Sequence, residues 1–231
     1  MAKHGKKHQN NLKAAPKAAV SVAEAVDFIK AHPGAKFDET VDVYMRLGAN
    51  LAKGDTPVRG TVKLPHGSGK KVRVIVFAAG TAADQAKAAG ADEVGLDDLI
   101  AKVKGGWTDF DVAIATTDAM KSVRSVARVL GPRGLMPNPK TGTVTDDPAT
   151  AVNESKAGKV DFRMDKTGNV SVVAGKRSFD AQKLVENINA VVSAVQAARP
   201  AAVKGVFIKS LTVSSTMGVG VPVVLTSDTA I

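Results

Sequence analysis

Residues 72–103, VRVIVFAAGTAADQAKAAGADEVGLDDLIAKV, decide the fold. Val72-Arg73-Val74-Ile75-Val76-Phe77 is an almost continuous apolar run, the pattern of a strand buried on both faces. Thr81 to Ala89 follows as a helix closed by Gly90, Glu93-Val94 as a short strand, and Leu96 to Val103 as a second helix. A strand over Asp111 to Ala115 and a helix over Lys121 to Leu130 continue the alternation. Strands alternating with helices predict a parallel sheet with helical crossovers.

On either side the pattern changes. Upstream, Ser21 followed by Glu24 has capping-box spacing, and Val22, Ala25, Val26 and Ile29 recur at helical intervals until Pro33-Gly34. Val41, Val43 and Met45 then alternate with polar residues, and Val58 to Leu64 is a second extended segment. Downstream, a helix over Pro148 to Ala157 precedes strands over Val160 to Met164 and Val170 to Ala174. A long helix from Asp180 to Ala198 and strands over Val206 to Val213 and Val221 to Leu225 close the chain. The opening and closing pieces complete one α+β domain, 21–67 plus 158–231, into which 68–157 is inserted. The crossings fall at His66-Gly67-Ser68-Gly69 and Ala157-Gly158-Lys159, so Gly67, Gly69 and Gly158 read as a hinge.

Charge follows the same division. Residues 68–157 hold 12 basic and 11 acidic residues, and the rest of the chain holds 20 and 11, so nearly all of the net +10 lies outside the insert. A field of that sign attracts polyanions. No apolar run approaches the ~18 residues a membrane span needs, which favours nucleic acid over a membrane and a cytoplasmic setting. Lys3, Lys6, Lys7, Lys13 and Lys17 stand in a stretch without an acid, so 1–20 reads as a mobile basic arm; an ordinary frayed terminus is the plain alternative.

Little points to catalysis. Gly67-Ser68-Gly69-Lys70 lacks the spacing of a phosphate loop and the hydroxyl after its lysine, and Ala78-Ala79-Gly80-Thr81 lacks the three-glycine dinucleotide turn. The absence of cysteine excludes thiolate chemistry and disulfides. Of His4, His8, His32 and His66 only the first two have helical spacing, in a segment too basic to hold a metal. Asp92-Glu93, Asp97-Asp98 and Asp146-Asp147 read as solvated faces and helix starts. The expectation is a protein that is not an enzyme and has no cofactor or metal.

The candidates for binding lie in the charged domain. Lys36-Phe37-Asp38-Glu39-Thr40-Val41-Asp42 places a cation, an aromatic ring, a hydroxyl and carboxylates at a strand entry. There Phe37 can stack on a base or sugar while Thr40 and the acids read 2′-hydroxyls. Ser210, Thr212, Ser214 and Thr216 recur at period two, and Thr216-Met217-Gly218 ends the row with a glycine that permits close backbone approach. Arg163, Lys166, Lys176 and Arg177 are placed to meet phosphates. A Phe buried beneath a polar loop and a plain solvent-facing sheet are the bland readings of these patterns.

Gly131-Pro132-Arg133-Gly134-Leu135-Met136-Pro137-Asn138-Pro139-Lys140, with Thr141-Gly142-Thr143-Val144 after it, resembles the L-one family of bacterial large-subunit ribosomal proteins, found at the ribosome's mobile stalk. Lys36 to Val41, Arg59-Gly60-Thr61-Val62, Leu64-Pro65-His66-Gly67, Asp165-Lys166-Thr167-Gly168 and Thr216-Met217-Gly218 occur in the family's order, so the likeness spans essentially the whole chain. The resemblance implies a discontinuous two-layer α/β sandwich domain with an inserted Rossmann-like three-layer α/β/α domain. Its implied partners are large-subunit ribosomal RNA and the large ribosomal subunit, exit-site tRNA, which it helps release, and its own operon messenger RNA, whose translation it represses. The family's RNA contacts fall on Lys36, Phe37, Thr40, Asp42, Arg163, Lys166, Ser210, Thr216, Met217 and Gly218; a longer Glu would reach further than Asp42. The proline-stiffened 131–140 loop lies in the near-neutral insert, where Arg133 or Lys140 touches RNA secondarily or braces the domains. The rivals are a repressor acting chiefly on messenger and a nucleotide-dependent enzyme built on the inserted sheet.

Overall fold

A computed structural model describes residues 5–49, 57–201, 203 and 205–225. In chain order these form α1 (Lys6–Ala14), α2 (Val22–Ala31), β1 (Thr40–Leu47), β2 (Arg59–Lys63), β3 (Val74–Phe77) and α3 (Thr81–Ala88). β4 (Glu93–Gly95), α4 (Asp97–Lys104), β5 (Val112–Ala115), α5 (Met120–Val123), α6 (Ala127–Leu130) and α7 (Pro148–Lys156) follow. β6 (Lys159–Arg163), β7 (Asn169–Lys176), α8 (Ala181–Ala197), β8 (Ile208–Ser215) and β9 (Val221–Val223) complete the order, and the class is α+β. The chain divides into two compact units, Met1–Gly69 with Val160–Ile231, and Lys70–Lys159.

In the first unit a four-stranded sheet runs in the order β7-β1-β8-β9, with β1 antiparallel to both β7 and β8. Alternation along β1 buries Val41, Val43 and Met45, and β8 does the same with Leu211 and Val213. Against that face lie Ala25, Val26 and Ile29 of α2 and Leu184, Ile188, Val191 and Val195 of α8. Each fully buried aliphatic contributes about 1.5–3 kcal/mol. Helix α2 starts where the spacing predicts: Ser21 accepts from the Glu24 N–H at 3.3 Å and Glu24 accepts from the Ser21 N–H at 3.0 Å. The β2–β6 pair adds Val62 and Phe162 to the same core.

The second unit has a parallel sheet in the order β4-β3-β5. The residues of β3 are buried on both sides: Ile75 and Phe77 join a core with Leu99, Val103, Val123 and Leu130, while Val74 and Val76 join one with Ala86, Ala151 and Val152. That explains its unbroken apolar run. The acidic pairs are used locally, as Asp147 caps α7 by accepting from the Thr150 N–H and Asp92 accepts from the Val74 N–H at 2.8 Å.

Three expectations are corrected. The helix over Lys121 to Leu130 is broken by a 3-10 turn, Arg124–Val126, which aligns residues three apart and so turns Val123 and Val126 into the core together. The last long strand begins at Ile208 rather than Val206, because Val206 is exposed and the Phe207 carbonyl instead accepts from the Gly48 N–H. The basic start is not a mobile arm throughout. Lys6–Ala14 is helical, the buried Asn11 amide donates to the His32 carbonyl at 3.2 Å, and Val20 bridges to Val223, although Lys6, Lys7, Lys13 and Lys17 stay exposed. Lys3 and His4 lie outside the described residues.

Asn187 of α8 is a buried polar anchor. Its side chain accepts from the His66 N–H at 3.1 Å and donates to the carbonyls of Gly67 at 3.1 Å and Ala174 at 2.7 Å. Asn187→Leu keeps the branched shape but strands these backbone groups, each costing about 1–3 kcal/mol when left unsatisfied. A loss of at least about 2 kcal/mol in urea denaturation is expected; wild-type stability would show that the anchor is dispensable.

Candidate nucleic-acid interface

Between α2 and β1 the chain turns through residues 32–39, and Glu39 holds the turn. Its side chain is fully buried and has no cationic partner among the described residues. Oε1 accepts from the Ala35 N–H at 2.6 Å; Oε2 accepts from the Ser215 hydroxyl at 2.6 Å and the Met217 N–H at 3.3 Å. Burial by itself would raise the pKa, but these donors and the Gly34 N–H prevail and hold it below the ordinary glutamate value. One carboxylate thus clamps the 34–37 loop to the turn after β8. The backbones meet so closely that a Cβ on Gly34 would overlap the Met217 carbonyl, and one on Gly218 would overlap the Ser215 hydroxyl. Gly218 is therefore required by packing inside the protein, a reason its sequence context did not disclose.

The clamp presents Lys36, Phe37 and Met217 to solvent, with Phe37 54% and Met217 58% exposed. Thr216, expected to offer its hydroxyl outward, donates it instead to the Thr40 carbonyl at 3.3 Å and accepts from the Thr40 N–H at 3.0 Å. It fastens the ends of β1 and β8. Lys176 joins the same corner, donating to the Thr40 hydroxyl at 2.9 Å, while Asp38 accepts from the N–H and hydroxyl of Ser178.

From this corner the helix-free face of the sheet extends along β1. Asp42 stands between Val173 and Ser214, Tyr44 between Ser171 and Thr212, and Arg46 between Asn169 and Ser210. Ser210, Thr212 and Ser214 share one side of β8, as the alternation predicts, while Thr216 lies in the turn beyond it. Burial pushes the Asp42 carboxyl up, with Lys176 acting against it. Burial and the Asp42 charge raise the Tyr44 phenol, opposed by its hydrogen bond to Ser171, so the ring carries a neutral hydroxyl. At the far end Arg46, Arg163 and Ser210 border a groove of about 480 Å³. Lys166 lies in the adjoining turn, where Asp165 accepts from the Asn169 N–H at 2.7 Å and from the Thr167 hydroxyl at 2.7 Å, which lowers its pKa to about 2.

Lys36, Phe37, Thr40, Thr216, Met217 and Gly218 thus gather at one end of the face, Arg163, Lys166 and Ser210 at the other, and Asp42 lies between. Sequence reasoning missed Tyr44 and Arg46. The alternation that buries Val41, Val43 and Met45 was the available signal, since it sends residues 42, 44 and 46 to the other face.

Arg133 belongs to the other unit, where its guanidinium donates to the Thr108 hydroxyl. The loop around it is tied inward: Leu135 and Met136 pack on the insert's core, Pro137 is buried, and the Asn138 N–H donates to the Thr143 hydroxyl at 2.8 Å. The side chain of Lys140 lies outside the described residues. A crevice of about 500 Å³ near the carboxyl ends of β3 and β5 is lined by Thr81, Thr116, Asp118 and Asp146 among others, with no lysine or arginine, a poor lining for phosphates.

The sequence model of the ribosomal protein L1p/L10e family matches residues 29–219. The chain is also similar to the large ribosomal subunit protein uL1 of Salinispora arenicola (strain CNS-205), 56% identical over 201 residues, which cover 87% of this chain and 84% of that protein.

Glu39→Gln replaces an acceptor-only group by one carrying an amide that cannot accept, and a loss of about 1.5–3 kcal/mol at pH 7 is expected in urea titrations. Because the folded pKa lies below the ordinary 4.5, the carboxylate's contribution is complete above that value and falls away as pH drops through the folded pKa. The variant therefore loses less stability than wild type between pH 5 and about pH 3, and equal pH profiles would refute the assignment.

Proposed function

The chain belongs to the ribosomal protein L1p/L10e family, whose members are structural constituents of the large ribosomal subunit and not enzymes, and on that premise we propose that it grips folded large-subunit ribosomal RNA through the helix-free face of its first unit. The observation that carries this reading is the corner where buried Glu39 holds exposed Phe37 and Met217 beside Lys36. An aromatic ring and a thioether kept in water are costly to present. Held rigidly beside cations, they suit stacking against bases or riboses.

Two layers of recognition divide the work. Lys36, Arg163 and Lys166 meet phosphates and supply affinity that falls with salt. Phe37, Met217, Thr40, Asp42 and Ser210 supply shape and ribose recognition, with Thr216 and Gly218 shaping the turn that presents them. In this reading 21–67 with 158–231 is a discontinuous two-layer α/β sandwich and 68–157 a Rossmann-like three-layer insert. The φ values of +68° and +72° at Gly67 and Gly69, with Gly67 pinned by Asn187, favour motion beginning after Gly69; Gly158, at +104°, is the return crossing. Arg133 and Lys140 are secondary contacts.

The same surface would serve three further roles of the family reading: a place in the cytoplasm on the large subunit, release of exit-site tRNA, and repression of the chain's own operon messenger. Among the described residues no helix is long and apolar enough to cross a membrane. Competition between large-subunit RNA and the leader of that messenger in one binding reaction ranks the two RNA targets.

In filter-binding titrations with large-subunit ribosomal RNA, Phe37→Ala and Met217→Asp should each weaken binding by about fivefold or more, on the order of 1 kcal/mol. Lys70→Ala, whose ammonium is paired with Asp111 at 2.6 Å in the other unit, should stay within about twofold, as expected of an exposed ion pair that is not among the proposed contacts. Unchanged affinity in both of the first two variants would overturn the reading.

A further inference from the structure

Tyr44 is the chain's single tyrosine, and its ring is 45% exposed in the middle of a sheet strand. Ser171 stands directly across on β7 and Thr212 directly across on β8, so short side chains flank the ring and part of it remains open. Two residues further along the same face stands Arg46, and Arg163 approaches from the end of β6. Neither guanidinium is paired with a carboxylate among the described residues. The hydroxyls of Ser210 and Thr212, on the opposite wall, have no internal partner among them either. These groups, together with Asn169 and the Asp165 carboxylate, border the open groove of about 480 Å³, a volume within the ~300–1,000 Å³ range of small-molecule sites.

An aromatic face, two planar cations and free hydroxyls are the three chemistries a nucleotide needs: a stacking surface, phosphate forks and ribose partners. A base inside a duplex cannot reach such a ring, because its faces are already covered by its neighbours in the stack. Resting on the RNA-binding reading above, we propose that this groove receives one unpaired nucleotide of the bound RNA, its base stacked on Tyr44 and its phosphate held by Arg46 and Arg163. The site is distinct from the Phe37–Met217 corner, which lies at the opposite end of β1. It makes Tyr44 and Arg46 specificity residues for an RNA that displays an unstacked base at that distance from the corner.

The uniqueness of Tyr44 permits a direct test. The full chain grown with 3-fluorotyrosine carries one fluorine resonance, which should shift on addition of large-subunit ribosomal RNA. Tyr44→Leu should weaken binding of that RNA by about fivefold or more, on the scale of one lost base stack, while Tyr44→Phe stays within about twofold. Arg46→Ala should weaken binding and flatten its salt dependence. An unmoved resonance overturns the proposal whatever the variants do. So does a Tyr44→Leu chain that binds as tightly as wild type while Phe37→Ala still weakens binding, and that pattern leaves the interface itself standing. A wild-type chain without affinity for this RNA overturns both readings.

Discussion

The carboxylate of Glu39 is buried without a cationic partner among the described residues, and an isolated charge in that position would neutralise itself or unfold its surroundings. It persists because hydrogen-bond donors converge on it: the N–H groups of Gly34, Ala35 and Met217 and the hydroxyl of Ser215. Those donors come from two segments remote in sequence, the loop before β1 and the turn after β8. Satisfying the charge and joining the segments are therefore one event. The glycines at 34 and 218 permit it, since a side chain at 34 would drive the two backbones apart and one at 218 would displace the Ser215 hydroxyl.

What the clamp produces is a rigid presentation of groups that would otherwise turn inward. Phe37 and Met217 are large and apolar, and a flexible loop would tend to fold them against the core. With the backbone on both sides of them fixed, they remain in water and can meet a ligand without a further ordering cost. Thr216 adds to this by joining the strand ends through Thr40, so the residues that touch solvent stand on residues that do not.

Along the rest of the face, charges of both signs are mixed with hydroxyls. Asp42 and Asp165 lie among Arg46, Arg163, Lys166 and Lys176, and a surface so composed holds a polyanion less indiscriminately than a purely basic one. The near-neutral insert adds little to this field, and its crevice at the strand ends offers no cation to a phosphate. Its proline-bearing loop, the most distinctive stretch of the chain, is tied down on its own core.

Much of this was legible in one dimension. Ser21 and Glu24 announce the start of α2, period two in β1 and β8 assigns their faces, and the buried run of β3 declares a parallel sheet, because each depends only on local spacing. The polar surroundings of Phe37 likewise pointed to an exposed ring. Glu39 could not be read this way: between Asp38 and Thr40 it looks like one more solvated acid, and its hydroxyl partner stands 176 positions away. Asn11, Asn187 and the inward bond of Thr216 escaped for the same reason. Sequence by itself determined which face of each element is apolar and where the net charge lies, since side-chain order and composition suffice for both. Only the tertiary structure decided which polar groups are consumed inside the protein and which are left to bind, because a hydrogen bond depends on two groups meeting at about 3 Å wherever in the chain they begin.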